Sequence, residues 1–578
     1  MKEYIKSRLE ALVSELFGLN LPPAKIEKPR NESLGDLASN VSFLIAKELK
    51  KNPQDIAQTI AKTLCKDDAF EEVTPVKGFL NFKFSEGFLL REFENLLKLG
   101  EDFFKEDLGK EERLQIEFVS ANPTGPLHLG HGRGAVVGDV LARVLSFFGY
   151  KITREYYVND TGRQVYLLGV SILYRYLQLS GSDCSDLKGV FEKEGYKGEY
   201  ILEIASLLRE HVGDLLLSSE GVLKARDILL SACFPFPLNY TALFKPFKDP
   251  QIELCSVFGL DFLMGEIRKD LSSLGVSFDI WFSERKLYEK RDVDKLLKNL
   301  KDFLYEKEGA LWLRTSAFGD DKDRVLRKSD GTYTYFASDI AYHRNKYLRG
   351  FKKVINLWGA DHHGYIPRVR AALKMLKIPE DWLEIYLIQM VRLFKEGREI
   401  KMSKRAGNFV TLRELIEEVG PDAVRFVFLT KRSDTPLDFD VDKVKEKSSE
   451  NPVFYVQYAH ARISGIFREF KNKWKVDPEE ENFLPFLKYL NAEDEIKLIK
   501  KVLLMKDELK EAALSREPHI ITYLLIDLAS SFHSFYNRYR IVSGNREITS
   551  ARIALLKGIR TALRLGLKLI GVSAPEKM

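Results

Sequence analysis

Cysteine is scarce in this chain and widely scattered. The four cysteines, at positions 65, 184, 233 and 255, form no C-x-x-C pair, so neither a disulfide framework nor a cysteine-held zinc is expected. Long apolar runs are missing too. No stretch approaches the roughly 18 consecutive apolar residues of a membrane span, so no membrane partner is expected. The opening "MKEYIKSRLEALVSELFG" has neither an unbroken apolar run nor a small-residue cleavage site, and reads as an amphipathic helix instead of a signal peptide. There are no internal repeats, and the only low-complexity tract is the short acidic "PEEEN". Together these absences point to a reducing cytoplasm.

What is present is ordinary globular material: 45% apolar and 30% charged residues over 578 positions, enough for several cores and too much for one. Net charge is +6, and it is localised. Between Pro452 and Met578, 21 Lys and Arg stand against 15 Asp and Glu, which matches the whole excess. A polyanionic partner near the C-terminus would account for this, as would solvated helix faces with a charge bias.

Three regions follow from the pattern. Residues 1–105 read as a small α/β module, with helical "ASNVSFLIAKELK" and "PQDIAQTIAKTL" before a strand-like "GFLNFKFS". Residues 112–430 alternate strands ("RLQIEFV", "KITREYYV", "KVINLWGAD", "EIYLIQMVRL") with helices, the pattern of an α/β, doubly wound parallel sheet. Helical and irregular sequence over roughly 165–325 interrupts that alternation as an insertion. Residues 440–578 are helix-periodic throughout and predict an all-α bundle.

The stretch "SANPTGPLHLGHGRGAVVGD" (120–139) stands where a strand hands over to a helix. Gly130-x-Gly132-x-x-Ala135 formally fits a dinucleotide fingerprint, but ten residues separate it from the strand, where the first glycine belongs in the turn itself. His128-x-x-His131 offers two zinc ligands and no local third. A phosphate reading fits better. Backbone N–H groups at a helix N-terminus attract an anion, glycines allow close approach, and two histidines can donate to phosphate oxygens. Far downstream, "GREIKMSKRAGN" (397–408) places Lys401, Lys404 and Arg405 in a glycine-flanked loop. Asp361-His362-His363 could belong to a metal phosphoesterase, but no further Asp/His cluster supports it.

"HLGH" and "KMSK" resemble the HIGH and KMSKS signatures of class I aminoacyl-tRNA synthetases. "EFVSANPTGPLHLGHGRGAVVGD", "REYYVNDTGRQV", "LRKSDGTYTYFASDIAYH", "WGADHHGY" and "KMSKRAGNFVTLREL" resemble the blocks of the arginyl-tRNA synthetase family. The likeness weakens over about 205–260, and "KMSKR" departs from KMSKS at Arg405.

The resemblance implies ATP with Mg²⁺ and no zinc, L-arginine and tRNA(Arg) as partners, and a monomer with a Rossmann-type catalytic domain. His128, His131, Lys401 and Lys404 are the implied catalytic residues. Thr124, Gly125, Gly130, Gly359 and Asp361 join them in holding ATP, and the backbone at Met390 and Val391 brackets adenine. Arginine is assigned to Glu117, Ser120, Ala121, Asn122, His131, Tyr335, Asp339 and His362. The residues independently support part of this. A guanidinium offers five donors and never loses its proton, so its pocket needs carboxylates. Glu117 is an acid within an apolar strand, and Asp339 lies one helical turn from Tyr335. Asp339 could instead cap a helix, and Tyr335 could be core. For tRNA, the N-terminal module is expected to touch the outer corner through Asn81 and Phe84, unless Phe84 is strand packing. The bundle would read the anticodon with Tyr458 and Arg462, one turn apart on a helix.

Overall fold

The computed structural model describes residues 1–21, 23–29, 31–240, 249–400, 410–448 and 450–578. Two compact units divide the chain. One joins Met1–Glu106 to Phe454–Leu569 and Ser573–Met578, and the other is Asp107–Val453 with Ile570–Val572.

The first unit begins with the helix Lys2–Phe17, which buries Ile5, Leu9, Leu12 and Val13 along one stripe. Strands β1 (Ile26–Glu27), β2 (Leu37–Ser39), β3 (Phe70–Val76) and β4 (Phe79–Phe84) make an antiparallel sheet in the order β1-β2-β4-β3. Its helical part has long helices at Pro452–Trp474, Glu493–Ser515, His519–Arg538 and Arg546–Ile570, as the periodicity predicts. Sequence gave no sign that the N-terminal module and these helices are one body. Gly558 lies so close to the Phe93 ring that a Cβ there would sit 2.5 Å from it, and Lys500 pairs with Asp36 at 2.8 Å.

The second unit is built on a five-stranded, all-parallel sheet: β5 (Arg113–Glu117), β6 (Lys151–Val158), β7 (Ile280–Ser283), β11 (Lys353–Gly359) and β12 (Leu383–Ile388), in the order β12-β11-β5-β6-β7. Chain order reverses at β5, which has β6 on one side and β11 on the other. That is the switch point where such sheets bind ligands beyond their strand ends. Between β7 and β11, β8 (Leu304–Lys307), β9 (Ala310–Leu313) and β10 (Arg324–Arg327) form a small antiparallel sheet. Then β13 (Val391–Lys395), β14 (Arg398–Ile400) and β15 (Leu437–Asp440) form another.

Two sequence expectations change. The strand β7 lies inside the stretch read as an insertion, yet it pairs with β6 in the main sheet. "EIYLIQMVRL" is not one strand, because β12 ends at Ile388 and β13 starts a different sheet at Val391.

Candidate active site

Immediately after β5 the chain turns sharply. Val119 and Ser120 have φ of 68° and 39°, a region L-residues rarely adopt and which costs of order 1–3 kcal/mol per residue. The turn is held by the Tyr156 hydroxyl donating to the Ala121 carbonyl at 2.8 Å and the Tyr157 amide donating to Ser120 Oγ at 3.1 Å. Ser120 in turn donates to Glu117 at 2.9 Å. Asn122 is exposed and bonds Gln164 at 2.7 Å. The Thr124 carbonyl accepts from Tyr200 at 2.8 Å, and the Tyr200 hydroxyl leaves little room for a side chain at Gly125.

His128 caps the helix Leu129–Phe147. Its Nδ1 accepts from the Gly130 amide at 3.1 Å, and His131 Nδ1 accepts from the His128 amide at 3.3 Å. The rings stack with centroids 3.6 Å apart. A ring nitrogen that accepts carries no proton, so each neutral ring holds its proton on Nε2. Both histidines therefore present N–H donors at a helix N-terminus. Gly130 lies against the His128 ring. His128 also pairs with Thr411 as an isolated antiparallel bridge, just beyond the basic loop. Lys401, Lys404 and Arg405 lie outside the described residues.

At the neighbouring strand end, Gly359 closes β11. A Cβ there would come within 2.4 Å of the Asp361 carboxylate. Asp361 and His362 are exposed and stand 3.6 Å apart. Met390 is 70% exposed between β12 and β13, while Val391 is buried. Sequence reading missed the residue that holds this turn, Arg133. Its guanidinium is fully buried on the histidine helix and donates to the carbonyls of Gln389 (3.1 Å), Arg432 (2.7 Å) and Thr435 (2.8 Å). Burial lowers its pKa to about 10. The signal was an arginine amid the glycines of "GHGRG".

A second set of residues is acidic. Tyr335 starts the helix Tyr335–Leu348 and is 57% exposed. Thr334, not Asp339, is the N-cap. Asp339 Oδ2 is buried with no hydrogen-bond partner among the described residues. Burial and the facing Asp339 carboxylate push the Tyr365 phenol far above its ordinary value. Glu117 is engaged: Lys346, fully buried, meets it at 2.5 Å. A further acid, Glu284, stands one residue past β7 and is 2% exposed. Burial raises its pKa to about 6. Glu284 and Asp339 both bear on the buried Tyr157 phenol, and Glu284 bears on Tyr335. Nothing in the sequence marks this acid, because the four-residue "IWFS" is too short to show a strand period. Among the described residues no group of three or more His, Cys, Asp or Glu could hold a metal ion. No helix among them is long and apolar enough to cross a membrane.

The tRNA-facing expectations divide. Asn81 and Phe84 are 3% and 1% exposed. The Asn81 amide donates to the Thr74 carbonyl on the adjacent strand at 3.2 Å, and Phe84 stacks on Phe88 at 5.1 Å. Neither faces outward in the free chain, where both serve the packing of the sheet. The outward aromatics of that module are Phe43 and Phe79, 41% and 42% exposed, with ring centroids 4.9 Å apart. Tyr458 and Arg462 do come together. Arg462 lies over the rings of Tyr458 (4.5 Å) and Tyr536 (4.6 Å) and donates to the Tyr458 hydroxyl at 2.8 Å.

A parallel sheet with a histidine-capped helix at its switch point, bridged to Thr411, is the frame of a catalytic domain that matches the class I aminoacyl-tRNA synthetases. Residues 92–220 and 257–468 match the family "tRNA synthetases class I (R), catalytic domain". Residues 1–84 match "Arginyl tRNA synthetase N terminal domain", and 456–578 match "DALR anticodon binding domain". An arginine–tRNA ligase of Aquifex aeolicus (strain VF5) is 60% identical over 586 residues, spanning 100% of both chains. One from Oleidesulfovibrio alaskensis is 42% identical over 587 residues, also spanning 100% of both. The fold is that of Thermus thermophilus arginyl-tRNA synthetase, with a TM-score of 0.73 at 22% identity and 100% of each chain covered. The chain belongs to the arginyl-tRNA synthetase family.

Proposed function

We propose that this protein activates L-arginine with ATP and transfers it to the 3′-terminal adenosine of tRNA(Arg), as a cytoplasmic monomer. The observation that carries the reading is a set of two carboxyls, Asp339 on the helix Tyr335–Leu348 and Glu284 just past β7, that both face the Tyr157 phenol. Among the described residues the buried Asp339 Oδ2 accepts no well-aligned hydrogen bond, although the Tyr365 phenol faces the carboxylate, and such an oxygen calls for a donor. A guanidinium supplies several. Glu117 is already balanced by Lys346, so the negative charge that selects arginine rests with Asp339 and Glu284. Tyr335 stands at the mouth. Ser120, Ala121, Asn122, His131 and His362 serve the amino and carboxylate end.

In the first step an arginine carboxylate oxygen bonds to the α-phosphorus of ATP and the bond to the β-phosphate oxygen breaks, releasing pyrophosphate. In the second, the terminal ribose 2′-hydroxyl attacks the arginyl carbonyl and AMP departs. Phosphoryl transfer of this kind asks for placement and charge stabilisation. His128 and His131 offer Nε2–H donors to the phosphates, Thr124, Gly125 and Gly130 let them approach the backbone, and Lys401 and Lys404 meet the pyrophosphate. Gly359 and Asp361 hold the ribose, and Met390–Val391 bracket adenine. Mg²⁺ enters on ATP as part of the substrate, neutralising phosphate charge.

For tRNA, the exposed Phe43–Phe79 pair suits stacking on an unpaired base at the outer corner, and Tyr458 with Arg462 suits the anticodon. The test is charging of tRNA(Arg) with labelled arginine. Charging by arginine and not by glutamine, cysteine or lysine is expected, and charging by one of those in its place overturns the reading.

A further inference from the structure

Tyr335, Asp339, His343 and Lys346 fall on one stripe of their helix, which runs from solvent into the core. Tyr335 is 57% exposed, whereas His343 and Lys346 are 1% and 0% exposed. At the bottom, Lys346 Nζ donates to Glu117 at 2.5 Å and to Asn356 Oδ1 at 2.9 Å. Asn356, fully buried on β11, directs its amide N–H at His343 Nε2 at 3.0 Å. Because that nitrogen accepts, the ring proton sits on Nδ1. Nδ1 donates to the Asp339 backbone carbonyl at 2.8 Å and stands 3.3 Å from its carboxylate Oδ1. A continuous polar chain therefore links Glu117 to Asp339 through three buried side chains, none of which reaches the pocket mouth.

Such a chain is costly to bury unless every member is satisfied, and when satisfied it is rigid. Each group in it has a defined partner on both sides, whereas Asp339 Oδ2 accepts no well-aligned hydrogen bond among the described residues, and the Tyr365 phenol faces the carboxylate. Asp339 is held by one edge, and its other oxygen is enclosed beside the Tyr365 phenol.

We propose that Lys346, Asn356 and His343 are positioning residues that fix the Asp339 carboxylate for the guanidinium, and so set arginine affinity from beneath the pocket. The proposal rests on Asp339 binding arginine. His343 restrains the aspartate directly. Asn356 fixes the His343 tautomer, and Lys346 anchors Asn356 while balancing Glu117.

The test is arginine-dependent ATP–pyrophosphate exchange with tRNA(Arg) present, measuring KM for arginine and for ATP separately. Asn356→Leu cuts the chain in the middle at similar volume and is expected to raise the arginine KM about tenfold, with the ATP KM within about twofold of wild type. His343→Gln must show the same arginine-selective rise, which keeps the test decisive if Asn356→Leu does not fold. The double variant Asp339→Asn/Asn356→Leu should lose no more arginine affinity than Asp339→Asn alone, because one acts through the other. Two results overturn the positioning role while leaving Asp339 as a ligand: an unchanged arginine KM in the folded chain variants, or additive losses in the double. An unchanged arginine KM in Asp339→Asn itself overturns the pocket reading beneath it.

Discussion

His128 and Thr411 pair backbone to backbone, and next to them the Leu412 amide donates to the Leu127 carbonyl at 2.8 Å. The first turn of the histidine helix is thus sewn to the segment that leaves the basic loop. Thr411 also caps the helix Leu412–Val419, with Glu414 completing a capping box. Two segments nearly 300 residues apart in the chain are joined by this contact.

Capping and catalysis by the histidines can be separated. Asn caps helices well and Gln suits the third helical position of a capping box, so His128→Asn and His131→Gln should leave thermal stability nearly unchanged. Neither replacement supplies an imidazole Nε2–H, and exchange activity should fall about 10²–10³-fold. A loss of rate that merely tracks a lowered Tm would assign them to capping alone.

Glu284 should make arginine binding depend on pH. Its carboxyl titrates near 6, so the charge facing the guanidinium is lost as pH falls from 7 to 5.5 and the arginine KM should rise. In Glu284→Gln the KM should be higher at pH 8, by about tenfold for a lost charged hydrogen bond, and flat across that range. Stability should move the other way. A carboxyl with a raised folded pKa contributes most below the unfolded value and loses that contribution as pH rises through about 6. The difference from its ordinary 4.5 corresponds to about 2 kcal/mol for a group this buried. Glu284→Gln should therefore gain Tm at pH 8 and little at pH 5, as thermal melts at the two pH values would read.

Arg133 holds three carbonyls and no carboxylate. In Arg133→Met those part-buried carbonyls lose their donor, a destabilisation of about 1–3 kcal/mol. Because Gln389 adjoins Met390–Val391, the turn proposed to bracket adenine, the ATP KM should rise while the arginine KM stays. Denaturant melts with paired KM measurements check both parts. Arg133→Lys should recover only part, since an ammonium cannot reproduce the planar fork.

The outer-corner platform is read by Phe79→Ala. Stacking of a base on an aromatic is worth about 1–3 kcal/mol, so the tRNA KM should rise roughly tenfold or more with the arginine and ATP constants unchanged. Asn81→Ala should act on Tm instead, because its amide is spent on Thr74.

Much of this architecture is legible from the chain. The strands before Glu117, Val158 and Gly359 announce themselves as apolar runs, and the C-terminal helices by their period. Four-residue β7 does not, because "IWFS" is too short for a periodic signal and lies amid helical sequence. Glu284, which depends on that strand for its place, was lost with it. Lys346 could not be paired with Glu117 from sequence, since 229 positions separate them and helix spacing says nothing about partners across a sheet. "FLNFKF" alternates as a strand should, but alternation alone cannot tell that a neighbouring carbonyl takes up Asn81. Motifs report chemistry that repeats locally, and burial is set by what folds over them.

The most direct measurement is ATP–pyrophosphate exchange with tRNA(Arg) present, run on the wild type and on Asp339→Asn with each amino acid in turn. Exchange with arginine alone in the wild type, and an arginine KM raised at least about tenfold in a variant with wild-type Tm, is the expected result. Exchange driven by another amino acid, or an arginine KM untouched by Asp339→Asn, would contradict it.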